Sequence, residues 1–226
     1  MKNRERIVEY FDCLPDGSVV IASDLYEKEF LNMSQDAFFR LMERLSDNKE
    51  IYRITKGMYI KISDCEKNLE EILLNYYFGE DNDSGLFIGY ELYRKYSLTL
   101  SKAEVKELYS NNIRSNTSRV LNLYVKKPAV KLSFENAKVI EALEIMQNYY
   151  DIEGLNKQKF ASYVRQFARY YNDEAACLVI SSMKYKKSTI AFMKKCLDMY
   201  KVDNTLQQFL SYASDYKVPT VLRLRR

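Results

Sequence analysis

Arg40 and Arg44 stand four residues apart in a segment whose apolar residues, Phe38, Leu41, Met42 and Leu45, recur at helical spacing. On a helix that spacing puts both guanidinium groups on one face, opposite the apolar stripe. Paired guanidinium groups suit the acceptor edge of guanine or a phosphate, both of which they can grip bidentately. Ser34 and Gln35 precede them. There Ser34 is the expected N-cap, and the free backbone N–H groups of the first turn can also meet a phosphate. The competing reading is a solvated face on which Asp36–Arg40 and Arg40–Glu43 form surface ion pairs. Arg53, Lys56 and Lys61 lie just beyond and extend the candidate DNA-binding set to Ser34, Gln35, Arg40, Arg44, Arg53, Lys56 and Lys61.

Other chemistries have fewer residues to work with. The chain has no histidine, which removes the commonest general base and metal ligand. Cys13, Cys65, Cys177 and Cys196 form no C-x-x-C pair and read as reduced thiols. Asp81-x-Asp83-x-Gly85 has the start of a calcium loop without its later ligands, and reads as a plain linker. There is no Gly-rich phosphate loop and no paired-Asp nucleotidyltransferase signature. No catalytic site, metal or cofactor is expected, and the chain reads as a non-enzyme.

The elements that must position the cationic set can be read from periodicity. Ile7, Tyr10, Phe11 and Leu14 mark a first helix, ended by Pro15-Asp16-Gly17. Ser18 to Ile21 is a short β-rich run, and Ser23 is the expected cap of a helix from Asp24 to Phe30. The Ser34 helix ends at Asp47-Asn48. Ile51 to Ile62 then reads as a hairpin. A three-residue loop, Thr55-Lys56-Gly57, with Gly57 left-handed, pairs Ile54 with Met58 and Tyr52 with Ile60. Tyr52, Ile54, Met58, Ile60 and Ile62 then share an apolar face, and Ile51, Arg53, Tyr59 and Lys61 share the other. Helix, strand, helix, helix, hairpin is the order of a winged helix-turn-helix, with the third helix as the reading helix.

Further along, a helix over 64–78 and an acidic linker, Gly79 to Gly85, lead into a region read as a helix over 86–97 and strands over 105–110 and 119–127. From Ser133 the pattern is helical to the end, with stripes such as Val139, Leu143, Met146, Tyr150 and finally Leu206, Phe209, Leu210, Ala213. The expected fold is mainly α with small β elements. It comprises a winged helix-turn-helix (1–62), a connecting helix and acidic linker (63–84), and an α/β then all-helical partner-binding region (85–226).

Charge follows the same divisions. Residues 1–62 carry 10 basic and 11 acidic side chains, residues 63–84 carry 1 and 7, and residues 85–226 carry 24 and 13. The N-terminal segment is therefore not basic overall, although phosphate attraction dominates nucleic-acid affinity. Its candidate contacts are local. No apolar run approaches the roughly 18 residues of a membrane span, and the charged start lacks a signal-peptide pattern. A cytoplasmic location without membrane contact is expected.

The motif order Leu14-Pro15-x-Gly17-Ser18-Val19, Asp24-Leu25, Arg44-Leu45 and Ile51-Tyr52-Arg53-x-x-Lys56-Gly57-x-Tyr59 resembles the N-terminal domain of AbiEi-like antitoxins, from type IV toxin–antitoxin (abortive infection) systems. Tyr109-Ser110-Asn111-Asn112, Arg119, Val125-Lys126-Lys127-Pro128 and Ser133-Phe134-Glu135-Asn136 are similar to the α/β segment that follows in that group. The likeness covers roughly residues 6–150. It implies a repressor that binds double-stranded promoter DNA of its own operon through the winged helix. It also implies that the C-terminal region neutralises a nucleotidyltransferase-like toxin. Arg40, Arg44, Arg53 and Lys56 would be the DNA-contacting set. The alternatives are a protein-interaction module and a ligand-responsive one-component regulator.

Overall fold

The computed structural model describes residues 3–61 and 68–222. Nine α-helices and seven short strands lie among them, so the fold is mainly α with some β. The chain divides into two compact units, Met1–Tyr76 and Tyr77–Arg226. No helix among the described residues is long and apolar enough to cross a membrane.

The first unit runs α1 (Asn3–Cys13), β1 (Val19–Ile21), α2 (Ala22–Glu29), α3 (Gln35–Asp47), β2 (Tyr52–Thr55), β3 (Met58–Ile60) and most of α4 (Leu69–Phe78). Its core joins one stripe from each of the first three helices: Ile7 and Phe11, Ala22 and Leu25, Phe38, Met42 and Leu45. Phe30 packs on Phe38 with ring centroids 5.2 Å apart. The second helix begins earlier than its expected Ser23 cap, at Ala22, and its N-cap is Ile21. Ser23 instead lies in the first turn and donates to Asp24 Oδ1.

The three strands form one antiparallel sheet in the order β1-β3-β2. Tyr52 pairs with Ile60 as the hairpin argument requires, and Gly57 has φ +78°. The loop is tighter than expected, because Thr55 pairs with Met58 and Ile54 is the extra residue of a β-bulge. The faces also differ. Tyr59, on the face shared with Ile51, Arg53 and Lys61, is 2% exposed within the helical core beside Ile51, while Tyr52 of the expected apolar face is 47% exposed. The third strand explains this. Val20 of β1 pairs with Tyr59, so the Val20–Tyr59 side of the sheet covers the helices. The central strand is buried on both faces, Met58 and Ile60 included. Ile62 and Cys65 lie outside the described residues, as do the first residues of the helix expected from 64 and the Arg223–Arg226 tail.

A Cβ at Gly57 would meet nothing within 4 Å, so substitution there is opposed by the backbone conformation alone. Gly57→Val should therefore cost roughly 1 kcal/mol, because a β-branched residue resists the left-handed region. Equilibrium unfolding of the first unit measures this, and an unchanged midpoint would refute it.

In the second unit β4 (Gly85–Ile88), β5 (Lys106–Ser110), β6 (Thr117–Val120) and β7 (Leu123–Lys126) form a sheet of order β4-β5-β7-β6. Only β5 and β7 are parallel. The expected helix over 86–97 therefore begins as strand, Leu86–Ile88, and is helical only over α5 (Gly89–Lys95). The expected strand over 119–127 is a hairpin that turns at Leu121, φ +53°, and Asn122. Leu123 and Val125 do alternate inward against Tyr124 and Lys126.

The stretch Gly79–Gly85 is a tight turn between α4 and β4, closed by Asn82 N donating to Gly79 O and Ser84 N donating to Phe78 O. A Cβ at Gly85 would lie 2.9 Å from the Phe78 Cα, a backbone atom that cannot swing aside. Gly85→Ala should cost about 1–3 kcal/mol by overpacking. A variant that melts like the wild type would contradict this.

Helices α6 (Phe134–Gln147), α7 (Lys157–Arg169), α8 (Asp173–Ser182) and α9 (Lys187–Met199) complete the unit. Helix α6 is central: Val139, Ile140, Ala142, Leu143, Ile145 and Met146 are all buried. Side-chain oxygens of Ser133, Asn156 and Asn172 cap the first three of these helices. The expected last helix over 206–213 is only a 3-10 turn, Leu206–Phe209. Tyr150, read into the α6 stripe, lies beyond the helix end and is 78% exposed.

Candidate nucleic-acid interface

The Ser34 hydroxyl accepts a hydrogen bond from Ala37 N at 3.4 Å and starts α3, whose last residue is Asp47. Phe38, Met42 and Leu45 face the core and fix the rotation of the helix. The opposite face, with Ser34, Gln35, Arg40 and Arg44, is exposed. Neither expected ion pair, Asp36–Arg40 or Arg40–Glu43, forms among the described residues. Glu43 is instead 3.7 Å from Arg53 Nη1. Both arginines of α3 therefore keep their full donor capacity toward solvent. A guanidinium offers five N–H donors and no acceptor, so its partners are acceptors such as phosphate oxygens or the guanine O6 and N7.

The hairpin is tied to this helix through Arg53, which also donates from Nε to Thr55 O at 3.4 Å. Arg53 lies opposite Tyr59 in the ladder. Burial raises the Tyr59 hydroxyl above its usual range, and the Arg53 charge opposes that rise. Lys56 is exposed at the turn. Lys61 has a different placement: its ammonium is held by Asp12 of α1 at 3.2 Å. The basic groups of α1 are also occupied. Arg4 pairs with Glu50 at 2.6 Å, and that hydrogen bond holds the Glu50 carboxyl below its usual range. Arg6 donates to Glu29 O at 3.0 Å, with its guanidinium 4.8 Å from the Phe30 centroid. The exposed cations of the predicted set that have no ion pair among the described residues are therefore Arg40, Arg44 and Lys56.

The second unit contains two polar clusters that periodicity did not single out. Glu141 of α6 has a side chain 1% exposed. It accepts from Lys95 Nζ at 2.5 Å, Tyr96 Oη at 2.5 Å and Lys138 Nζ at 3.2 Å. One turn on, Glu144 accepts from Tyr185 Oη at 3.0 Å and Tyr109 Oη at 3.3 Å. A sequence signal existed: in Val139-Ile-Glu-Ala-Leu-Glu-Ile-Met146 the helix is apolar nearly all round, which marks burial of everything on it, carboxylates included.

Burial raises the Glu144 carboxyl above its usual range, although Tyr185, Lys126 and Tyr109 partly offset it. A carboxyl raised on folding binds its proton more tightly in the native state. Its contribution to stability therefore grows as pH falls through the native value, and levels off below the unfolded one. Glu144→Gln should gain stability relative to wild type at neutral pH and lose that advantage as the pH is lowered toward 4.5, the usual carboxyl value. Paired urea titrations across that window check it. A pH-independent difference would refute the assignment.

Cys13, Cys177 and Cys196 are free thiols, and burial pushes the Cys196 thiol up to about 12, where it is unreactive. Among the described residues no three His, Cys, Asp or Glu side chains gather as a metal site. No protein-family model matches the chain, and no curated protein matches its sequence.

Proposed function

We propose that the chain is a DNA-binding transcriptional regulator of antitoxin type. In this reading α1 to β3 form a winged helix-turn-helix, with α3 as the helix that enters the major groove and β2–β3 as the wing. The observation that carries it is the exposed face of α3. A capped helix, held by its apolar stripe, presents Arg40 and Arg44 without ion-pair partners among the described residues, and Arg53 anchors the hairpin to the same helix. Ser34, Gln35 and Lys56 would supply phosphate contacts that set register, and the two arginines would supply base contacts. Lys61, held by Asp12, would act only after breaking that pair.

The net charge of residues 1–62 is slightly negative, so affinity must come from these local groups. A moderate salt slope is expected, about one unit of log K per log salt for each phosphate neutralised. The antitoxin half rests on the AbiEi-like resemblance and on the excess of 24 basic over 13 acidic side chains in residues 85–226. That excess suits an acidic partner, which charge would help to steer into contact. The proposed partner is a nucleotidyltransferase-like toxin, with repression of the shared operon.

The test is a titration of the full chain against duplex DNA from upstream of its own coding region, beside a scrambled duplex, at about 150 mM salt. Preferential, salt-dependent binding to the upstream duplex is expected. Absence of salt-dependent binding to either duplex would overturn the DNA reading and favour a protein-docking role for the same surface.

A further inference from the structure

We infer that the second unit carries a binding site for a small planar aromatic anion, in a cavity between the end of α5, the start of α6 and one face of α7. The cavity is about 410 Å³. That lies near the lower end of the roughly 300–1,000 Å³ typical of small-molecule sites, room for one or two fused rings and a charged group.

Its walls are built by spacing. Tyr163, Gln166, Phe167 and Tyr170 occur at i, i+3, i+4 and i+7 and turn one face of α7 and its C-cap to the cavity. Tyr96 closes one side, with its ring centroid 4.4 Å from that of Tyr163. Phe134 and Lys138, four residues apart on α6, close the other. The deep rings are buried, but the rim rings are not: Phe134 is 70% exposed and Tyr170 is 69% exposed. Two large apolar side chains are thus held open at the mouth, where a flat occupant would cover both. Aromatic faces and edges favour offset or edge-on contact with another ring beyond simple area burial.

The charge selects the sign of the ligand. Two ammonium groups, Lys95 and Lys138, converge on the single carboxylate of Glu141. One positive charge is in excess, and Lys138 is the member that lines the cavity. Its ammonium is 5.5 Å from the Phe134 centroid and 5.9 Å from that of Tyr96. A cationic guest is disfavoured, because the rings already face this ammonium and the carboxylate is already committed. An anionic guest would pair with Lys138 while Lys95 and Tyr96 keep Glu141 satisfied. Gln166, exposed on the rim, adds one donor and one acceptor for orientation. The site lies within one unit and stands whether or not the DNA reading holds.

The test uses indole-3-acetate against indole and adenosine 5′-monophosphate against adenosine, so that carboxylate and phosphate are distinguished on two ring systems. The chain has no Trp, so indole fluorescence reports the ligand directly, and calorimetry reports the nucleotide. At least one anion should bind about tenfold tighter than its neutral counterpart, the effect of roughly 1.4 kcal/mol. Lys138→Gln should erase that preference, and Lys138→Arg should keep it. Phe134→Ala, at an exposed ring, should weaken anion and neutral form alike. The inference fails if neither anion binds at millimolar concentration, if the neutral forms bind as tightly, or if Lys138→Gln and Phe134→Ala bind like the wild type.

Discussion

Replacing Arg40 and Arg44 together by alanine should lower affinity for the upstream duplex about 100-fold, from roughly 1.4 kcal/mol for each guanidinium. The protein itself should be little affected. Both residues are exposed, neither has an ion pair among the described residues, and alanine is the strongest helix former. The loss is therefore an interface loss. Single variants separate the roles: a phosphate contact, once removed, should flatten the salt slope by about one unit, whereas a base contact should relax sequence preference at one position. Lys157→Ala, at an exposed position early in α7, serves as the control and should bind as the wild type does. A double variant with wild-type affinity would remove α3 from the interface.

The largest stability effect is expected at Glu141. The carboxylate is almost wholly buried, and Glu141→Ala leaves the Tyr96 hydroxyl without its acceptor and two ammonium groups without their counter-charge, Lys138 keeping only the Tyr96 oxygen at 3.2 Å. Burial and the nearby carboxylate both raise the Tyr96 hydroxyl far above its usual range, so it remains a protonated donor in need of a partner. The lysine side chains are 50% and 34% exposed and can turn partly to water. The cost is then about 3 kcal/mol, at the lower end for breaking a buried pair. Glu141→Gln keeps an acceptor for Tyr96 and should cost less than half as much. Because the chain has two units, the effect is best read by native-state hydrogen exchange. Protection of the α6 amides should fall roughly 100-fold in Glu141→Ala, with α1–α3 unchanged. Unaltered protection in α6 would refute the assigned role.

Several helices were legible because local spacing dictates burial, although the spacing of Leu206, Phe209, Leu210 and Ala213 produced only a 3-10 turn. Phe38, Met42 and Leu45 can meet a core only on one rotation of the helix. Elements settled by distant pairing were not. Leu86-Phe87-Ile88 precedes Gly89-Tyr-Glu-Leu92 and reads as one helical pattern, but pairing of Gly85 with Ser110 makes it a strand. The turn at Leu121-Asn122 contains no Gly or Pro to announce it. The hairpin register at Tyr52–Ile60 followed from loop chemistry, yet its inward face was decided by β1, some forty residues away.

The candidate interface divides in the same way. The Arg40/Arg44 face is a property of one helix and could be read directly. The capture of Lys61 by Asp12 and of Glu43 by Arg53 needed the tertiary structure. The aromatic cavity joins Tyr96, Phe134 and Tyr163, which lie on three elements, so no window of sequence contains it.

The most direct test of the central claim follows backbone amide shifts of the isotope-labelled full chain as the upstream duplex is added. If α3 and the hairpin form the interface, the largest changes fall on Gln35–Arg44 and on Arg53–Gly57, while the amides of α7–α9 stay in place. Changes confined to the second unit, with Gln35–Arg44 unmoved at saturating DNA, would contradict it.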